Sequence, residues 1–315
     1  MTTVRSIEPE YAVMTSACGL LDRSERGKLA LTGTEGKSFL QGQVTNDTEA
    51  LREGHGCYAA FLTRKGKMLG DLRILDAGGE LLLDTERVAL QELFNMIRHF
   101  SIGYKVEMAK RTVECGLLSL IGPQADAVAQ AAFDAAPGAA EHDHVVSGEV
   151  RLIRTELGID LLFDMAAAER VRLAAIQAGA ESVTETAAEI LRIEHGRPRY
   201  GIDLDDSIIP QEAGLNERAV SFTKGCYVGQ ETVARLFYRG KPNRQLRGLR
   251  SADEVLEPGL ELVYEDRVAA RVTSVAVSPR LGPIALAFVR REVPVGASMK
   301  AGEGGSAEVV ELPFS

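Results

Sequence analysis

The chain has 315 residues with 45 acidic and 36 basic side chains, which gives a formal net charge of −9. Apolar residues make up 45% and charged residues 26%, values typical of a folded globular protein and not of a disordered or fibrous one. No apolar run approaches the ~18 residues that span a bilayer. We therefore expect a cytoplasmic protein of two or three compact units, because single cores usually stop growing near ~250 residues.

The four cysteines are far apart in sequence and form no CxxC pair. This spacing predicts neither a disulfide framework nor a zinc knuckle, and it favours a reducing compartment. His142 and His144 flank Asp143, but no further ligands accompany them, so no metal site is predicted. The acidic net charge argues against direct nucleic-acid binding.

The first part of the chain is predicted to be β-rich, with helices packed on the strands. Its predicted elements, in chain order, are a strand at 28–32, a helix at 35–41, strands at 57–62, 68–75 and 81–83, and a helix within 86–100. The loop at 64–67 is typical of a hairpin, with Gly66 supplying a positive φ.

The middle of the chain mixes strands and helices, and the last part is β only. The predicted elements are strands at 115–121, 150–156 and 160–163, and helices after Pro123, at 166–177, at 184–194 and from 230 through 235. After Lys241 there are short alternating runs separated by Gly and Pro, at 246–249, 269–277 and 284–289, and no helical pattern. The organisation is therefore α+β followed by a small all-β barrel.

The densest chemical segment is 222–231, Phe-Thr-Lys-Gly-Cys-Tyr-Val-Gly-Gln-Glu. Gly225 and Gly229 let the backbone turn sharply and approach a ligand. The thiol of Cys226 lies beside Lys224 and near a predicted helix start, where a lowered pKa would make it a redox or nucleophilic group. The alternative is a buried, inert Cys226, since free cysteines often pack as small hydrophobes.

Three further features have both a functional and a structural interpretation. Glu194 lies at a predicted helix C-terminus, where the helix dipole disfavours an acid. Its carboxylate either binds a ligand that presents two parallel N–H donors or forms a salt bridge with Arg192, Arg197 or Arg199. Gln41, Gln43 and Asn46 suit a polar heterocycle or ordinary capping. The run 235–250 holds six basic residues and no acid, and it either receives an anionic group or is a solvated face.

Four segments carry a resemblance to a known family. They are Phe-Leu-Gln-Gly-Gln-Val-Thr-Asn-Asp at 39–47, Arg-Lys-Gly-Lys at 64–67, Arg-Ile-Glu-His-Gly-Arg-Pro at 192–198, and Lys-Gly-Cys-Tyr-Val-Gly-Gln-Glu at 224–231. The last is the most specific. In these motifs, and in their order and spacing, the chain resembles the folate-binding YgfZ-type proteins of the glycine-cleavage T-protein superfamily.

The resemblance implies an α+β fold with three T-protein-like domains around a central channel that holds tetrahydrofolate or a derivative. It implies a folate-binding region at 1–240, made of two interleaved domains (roughly 1–50 with 111–240, and 51–110), and a C-terminal β-barrel at 241–315. In that family the glutamate of the Arg-x-Glu-x-Gly stretch, here Glu194, holds the amino and N3–H edge of the pterin. The other implied folate contacts are Gln41, Asn46, Tyr227, Arg218, Arg235 and Arg247, and the implied reactive groups are Cys226 and Lys224.

One departure concerns catalysis. Aminomethyltransferases of the superfamily resemble one another in an Asn-Ala…Asp segment, whose aspartate acts on the folate and the aminomethyl donor. The corresponding stretch, 81–91, contains Asp84 and Glu86 but has Gln91 where the acid should be. Because no acid then steers proton transfer, we do not expect an aminomethyltransferase of the usual kind.

The resemblance therefore implies a folate-binding protein that supports assembly or repair of iron–sulfur enzymes, including one that thiomethylates tRNA. Iron–sulfur enzymes or assembly factors are the implied partners, and one cysteine in the motif is too few for stable cluster ligation. Two alternatives stay open. One is a folate-dependent one-carbon transferase, and the other is a scaffold that holds a partner or tRNA on the basic run.

Overall fold

The computed structural model describes residues 7–251, 256–302 and 304–315. The chain divides into two compact units. The first comprises the described residues up to Leu62 with Leu69–Ala187 and Arg218–Val228, and the second comprises Thr63–Met68, Ala188–Glu217 and Gly229–Ser315. Within the described ranges, every helix is too short or too polar to span a bilayer.

The helices are short and mostly amphipathic. They are α1 (Glu8–Ser16), α2 (Gly36–Gln41), α3 (Leu90–Phe100), α4 (Ala125–Phe133), α5 (Ala168–Gln177), α6 (Glu185–Glu194), α7 (Asn216–Ala219) and α8 (Gln230–Arg239). Single 3₁₀ turns at Arg87–Ala89 and Met165–Ala167 lead into α3 and α5. Gly179 and Gly196, which follow α5 and α6, both have positive φ, a conformation that ends a helix.

The first unit contains the strands of two sheets. These strands are β1 (Gly19–Asp22), β2 (Gly27–Thr32), β3 (Gly56–Leu62), β4 (Met68–Asp76), β5 (Glu80–Thr85), β6 (Glu107–Lys110), β7 (Cys115–Ile121), β8 (His144–Ser147), β9 (Val150–Thr155), β10 (Gly158–Asp164) and β11 (Glu181–Ser182). One sheet has the order β3-β4-β5-β2-β6 and the other β11-β1-β7-β10-β9-β8. Helices α4 and α5 pack on the second sheet through Val128 and Val171, which share a core with Leu120 and Leu161.

The second unit contains a closed six-stranded β-barrel, which confirms the predicted all-β C-terminal region. Its strands are β12 (Arg244–Ser251), β13 (Glu261–Tyr264), β14 (Arg267–Ser278), β15 (Gly282–Arg290), β16 (Ser298–Ala301) and β17 (Gly305–Val310), in the order β12-β15-β14-β13-β16-β17. Its core includes Leu249, Leu262 and Val309. The predicted interleaving of two domains within 1–240, and the central channel, remain predictions.

The predicted elements are present, and their bounds differ at the ends. α8 continues to Arg239 instead of stopping at Arg235, and Gly240, in extended conformation, ends it. The 64–67 loop is a hairpin turn as predicted, with Gly66 at φ 77° and the Thr63 N–H donating to the Lys67 carbonyl at 2.8 Å. Among the described residues, the sequence analysis missed nine elements, namely α1, α7, β1, β6, β8, β11, β13, β16 and β17. All of them except α1 and β17 have four residues or fewer, which is too short to show a periodic pattern.

Candidate functional site

Lys224 fixes the segment 221–228, which we call the thiol loop, to the backbone of the segment 41–48, which we call the polar loop. Its Nζ donates to the carbonyl oxygens of Gln41 (2.8 Å), Val44 (2.8 Å) and Asn46 (2.7 Å). The residue is buried, and burial lowers the pKa of Lys224 to about 8. The ammonium group is therefore occupied by backbone acceptors, and its catalytic role remains a prediction.

Tyr227 and Val228 follow Cys226 in the thiol loop, and Val228 adds to the attachment. The Tyr227 ring is buried, with the Lys224 Nζ 5.1 Å from its centroid, and burial raises the pKa of Tyr227 to about 12. The Val228 N–H donates to the Gly42 carbonyl at 3.2 Å. The thiol loop is thus held on both sides of its cysteine.

Cys226 lies between these anchored residues and is exposed to solvent. The alternative of a buried Cys226 is therefore wrong. Burial raises the pKa of Cys18 to about 11 and of Cys57 to about 12, so these two thiols have little thiolate at neutral pH. All four cysteines are free. Cys226 is consequently the thiol best placed to meet another molecule.

The hydrogen bonds in the polar loop support a structural role for its amide side chains. Gln41 Nε2 donates to Asp47 Oδ1 at 3.1 Å, and its Oε1 accepts from the Thr48 N–H at 2.8 Å. Asn46 Nδ2 donates to the carbonyls of Tyr58 (2.9 Å) and Arg218 (3.3 Å). Gln41 and Asn46 therefore bond to neighbouring protein groups, as the structural interpretation expects, and their contact with folate remains a prediction.

Arg218 lies next to this loop in the first unit. Its Nη2 is 3.0 Å from Glu141 Oε1, and its guanidinium lies 5.1 Å from the centroid of the Tyr58 ring. Within the described residues, Arg218 Nε and Gln43 Oε1 are buried and have no hydrogen-bond partner. A buried donor and a buried acceptor without partners are costly, so ligands or water are expected to satisfy them.

Sequence reasoning missed a partly buried group of ionisable residues around Tyr58. Its hydroxyl donates to Asp71 Oδ2 at 2.6 Å, and burial raises the pKa of Asp71 to about 6. Arg26 contacts Asp84 at 2.8 Å and also Glu86. A sequence signal existed, because Asp71 interrupts the otherwise apolar strand Met-Leu-Gly-Asp-Leu at 68–72.

The acids noted near the first sheet have structural partners. Asp84 is buried and contacts Arg73 at 2.6 Å as well as Arg26. Burial opposes ionisation of Asp84, but the two arginines hold the pKa of this carboxyl below its ordinary value. Gln91, which the sequence analysis placed where the family acid is expected, is exposed on α3 and donates to Asn95 at 2.9 Å.

Glu194 is the last residue of α6 and is buried in the second unit. Ser278 donates to its Oε1, and the exposed Arg280 lies 3.7 Å from its Oε2. The neighbouring Arg192 contacts Glu189 at 2.9 Å and Asp203 at 2.7 Å. A partner cation explains how an acid is tolerated at a helix C-terminus, and the predicted pterin contact remains a prediction.

The basic run divides into an exposed helical half and a bonded strand half. Arg247 contacts Glu311 at 2.9 Å and Gln245 at 2.6 Å, and Arg244 contacts Glu212 at 3.2 Å. Arg235 and Arg239 are exposed on α8. Arg235 is therefore exposed whereas Arg247 is paired, and the folate contact of each residue remains a prediction.

Both parts of the chain match known families. Residues 2–224 match the GCVT N-terminal domain, and residues 244–315 match the glycine cleavage T-protein C-terminal barrel domain. The crystal structure of glycine cleavage system aminomethyltransferase T from Bartonella henselae superposes with a TM-score of 0.90 at 22% identity, covering 100% of this chain and 91% of that one. This likeness shows the fold.

Sequence relatives carry two different names. The tRNA-modifying protein YgfZ of Yersinia enterocolitica is 31% identical over 78% of this chain and 75% of its own length. An aminomethyltransferase of Rubrobacter xylanophilus is 28% identical over 98% of this chain and 86% of its own length. The chain belongs to the glycine cleavage T-protein superfamily and is a YgfZ-type member of it.

Proposed function

We propose that the protein binds tetrahydrofolate or a derivative and supports assembly or repair of iron–sulfur enzymes, including a tRNA-thiomethylating enzyme, with Cys226 as its reactive thiol. The observation that carries the proposal is the exposed Cys226 between Lys224 and Val228, two residues that are hydrogen-bonded to the polar loop. The relatives named tRNA-modifying protein YgfZ support the connection to tRNA.

The arrangement of the thiol loop supports a specific encounter. The Lys224 ammonium and the Val228 N–H hold the backbone on both sides of Cys226. These bonds restrict the conformations available to the loop that carries the thiol. Because less conformational freedom is then lost when a partner binds, such preorganisation favours contact with a partner's reactive group.

The described residues fit a folate in their chemistry. A buried carboxylate such as Glu194 matches two parallel N–H donors, the pattern of a pterin edge. When bound, the folate would supply one-carbon or redox chemistry, and Glu194 would bind and orient its pterin.

The first test is replacement of Cys226 by Ser in cells that depend on this protein for an iron–sulfur enzyme. We expect loss of that enzyme's activity with folate binding retained, because only the thiol is changed. The matched control is Cys115→Ser, which alters a half-buried thiol outside the thiol loop and should keep activity. Full activity of the Cys226 variant would contradict the proposed thiol role.

The second test is calorimetric titration of tetrahydrofolate into the wild type and Glu194→Gln. Losing charge-assisted hydrogen bonds worth about 1.5–3 kcal/mol should weaken binding by at least about tenfold. Glu261→Gln, an exposed change on the barrel, is the control. Equal affinity of wild type and Glu194→Gln would show that the pterin does not contact this carboxylate.

A one-carbon transferase is the second candidate, and one observation favours it. Asp71, with its pKa raised by burial to about 6, could serve as an acid in place of the missing one at Gln91. The test is incubation with tetrahydrofolate and a series of aminomethyl donors, with assay for methylene-tetrahydrofolate or formaldehyde. No product from any donor would rule this candidate out.

A further inference from the structure

Two basic segments that are distant in sequence pack together in the second unit. The hairpin turn of residues 63–67 lies on the first turn of α8, since a Cβ at Gly66 would be 2.8 Å from Thr232 Cβ and 3.3 Å from the Gly229 carbonyl. Only a glycine allows this close approach. The packing brings Arg64 and Lys65 to the beginning of the helix that carries Arg235 and Arg239.

The cations of these segments lack acidic partners. Arg64, Lys65, Arg235, Arg239 and Lys241 are exposed, and none makes an ion pair with any residue in the described part of the chain. In contrast, the basic residues of β12 have partners such as Glu212 and Glu311. Five unpaired cations on a protein of net charge −9 form a local positive surface that favours an anionic partner.

A cleft runs along the same face of α8. It has a volume of about 490 Å³, and Arg235 and Arg239 line it together with Ile209, Thr232 and Leu236. Glu231 lies at the end near the first turn. Because residues four apart lie on the same helix face, the two arginines are spaced along the cleft as a row of positive charge.

Large aromatic side chains lie beside these arginines. The Tyr238 side chain is 67% exposed and Phe237 is 48% exposed, and their rings contact edge to face at 5.0 Å. Tyr238 is three residues after Arg235, so both lie on neighbouring positions of the helix surface. An exposed aromatic ring next to unpaired arginines provides a surface on which a nucleic-acid base can stack.

We propose that Arg64, Lys65, Arg235, Tyr238, Arg239 and Lys241 form a docking surface for single-stranded RNA. The cations bind phosphates, and the Tyr238 ring stacks on an unpaired base. An acidic protein partner would bind the cations, but it would not require stacking on the exposed Tyr238 ring. The proposal goes beyond the folate-binding function and does not depend on it. The argument from net charge against nucleic-acid binding then applies to the rest of the surface and not to this local positive region.

The test is fluorescence anisotropy of the full chain with a labelled single-stranded RNA of about twelve nucleotides, within the usual site size. Arg239→Glu with Lys241→Glu, and separately Arg64→Glu with Lys65→Glu, should each weaken binding at least about tenfold and flatten its salt dependence. Tyr238→Ala should weaken single-strand binding at least about fivefold. It should leave binding of a duplex RNA within about twofold, because paired bases are not available for stacking.

The control is Arg267→Glu with Arg271→Glu, an equal charge change on exposed positions of β14, which should bind RNA like the wild type. Equal binding by the control and the two test variants would overturn the proposal. The proposal would also be overturned, in favour of an acidic protein partner, if a polyglutamate peptide bound as tightly as the RNA and Tyr238→Ala left RNA binding unchanged. Titration of tetrahydrofolate into the variant with Arg64→Glu and Lys65→Glu measures folate binding independently of RNA binding. A failure of the RNA proposal is thereby distinguished from a failure of the folate proposal.

Discussion

The ammonium group of Lys224 donates a hydrogen bond of 2.8 Å to the carbonyl of Val44, a residue 180 positions earlier in the chain. The same nitrogen reaches the carbonyls of Gln41 and Asn46. One side chain therefore ties the cysteine-bearing loop to the turn that follows α2. This explains why the lysine next to Cys226 is buried while the cysteine is exposed.

Replacing Lys224 by Met is expected to lower the free energy of unfolding by about 2–4 kcal/mol, because three carbonyl oxygens lose their donor. Urea unfolding followed by circular dichroism measures the change. The matched control is Lys65→Met on an exposed lysine, which should stay within about 0.5 kcal/mol of wild type. A loss below about 1 kcal/mol in Lys224→Met would mean that water replaces the ammonium.

The buried Arg73 connects the two sheets of the first unit. Its Nη2 contacts Asp84 at 2.6 Å, and its Nη1 contacts Asp160 at 2.8 Å. Arg73→Met should cost about 3–5 kcal/mol, since removing one partner leaves buried charges without compensation. Chemical denaturation measures it, and adding Asp160→Asn should recover part of the loss.

Arg170 offers the comparison for this prediction. It pairs with Glu149 at 2.6 Å, but both side chains are 65% exposed, so solvent screens the pair. Arg170→Met should therefore change the unfolding free energy by no more than about 1 kcal/mol. Equal losses for the Arg73 and Arg170 variants would show that burial does not distinguish the two pairs.

His144 makes the first unit sensitive to acid. Burial lowers the pKa of His144 to about 4 from the ordinary 6.5, and Arg151 Nη1 lies 2.8 Å from its Nδ1. As pH falls through 6.5 the unfolded chain binds the proton first, so stability decreases between pH 6.5 and 4. Between pH 7.5 and 5.0 the wild type should lose about 1–2 kcal/mol more than His144→Gln. Urea melts at the two pH values measure this, and parallel losses would contradict it.

Cys226 should react with Ellman's reagent in a single fast phase under native conditions. The reaction needs an accessible thiolate, and burial raises the pKa of Cys18 and Cys57, which should slow those thiols by roughly a hundredfold or more. Peptide mass mapping identifies the labelled residue. Cys226→Ser should remove the fast phase and Cys115→Ser should keep it, and a fast phase in the Cys226 variant would contradict the assignment.

Local pattern was sufficient for most of the secondary structure. The alternation in β12, β14 and β15 and the breaks after them predicted an all-β end of the chain, and the barrel confirms it. Gly66 was recognised as a turn residue, but its closeness to Thr232 was not, because that contact joins segments far apart in sequence. The acids Asp71 and Asp160 were missed for the same reason, since their partners lie on other strands.

The sequence by itself determined most of the helices and strands, the barrel and the motifs that mark the superfamily, because periodicity, turn residues and short motifs are recognised locally along the chain. Only the tertiary structure decided that Lys224 is buried, that Cys226 is exposed and that Gln41 and Asn46 hydrogen-bond to neighbouring protein groups. Whether a polar side chain is buried, bonded or exposed depends on groups brought close by folding. Residue type and spacing along the chain do not identify those groups.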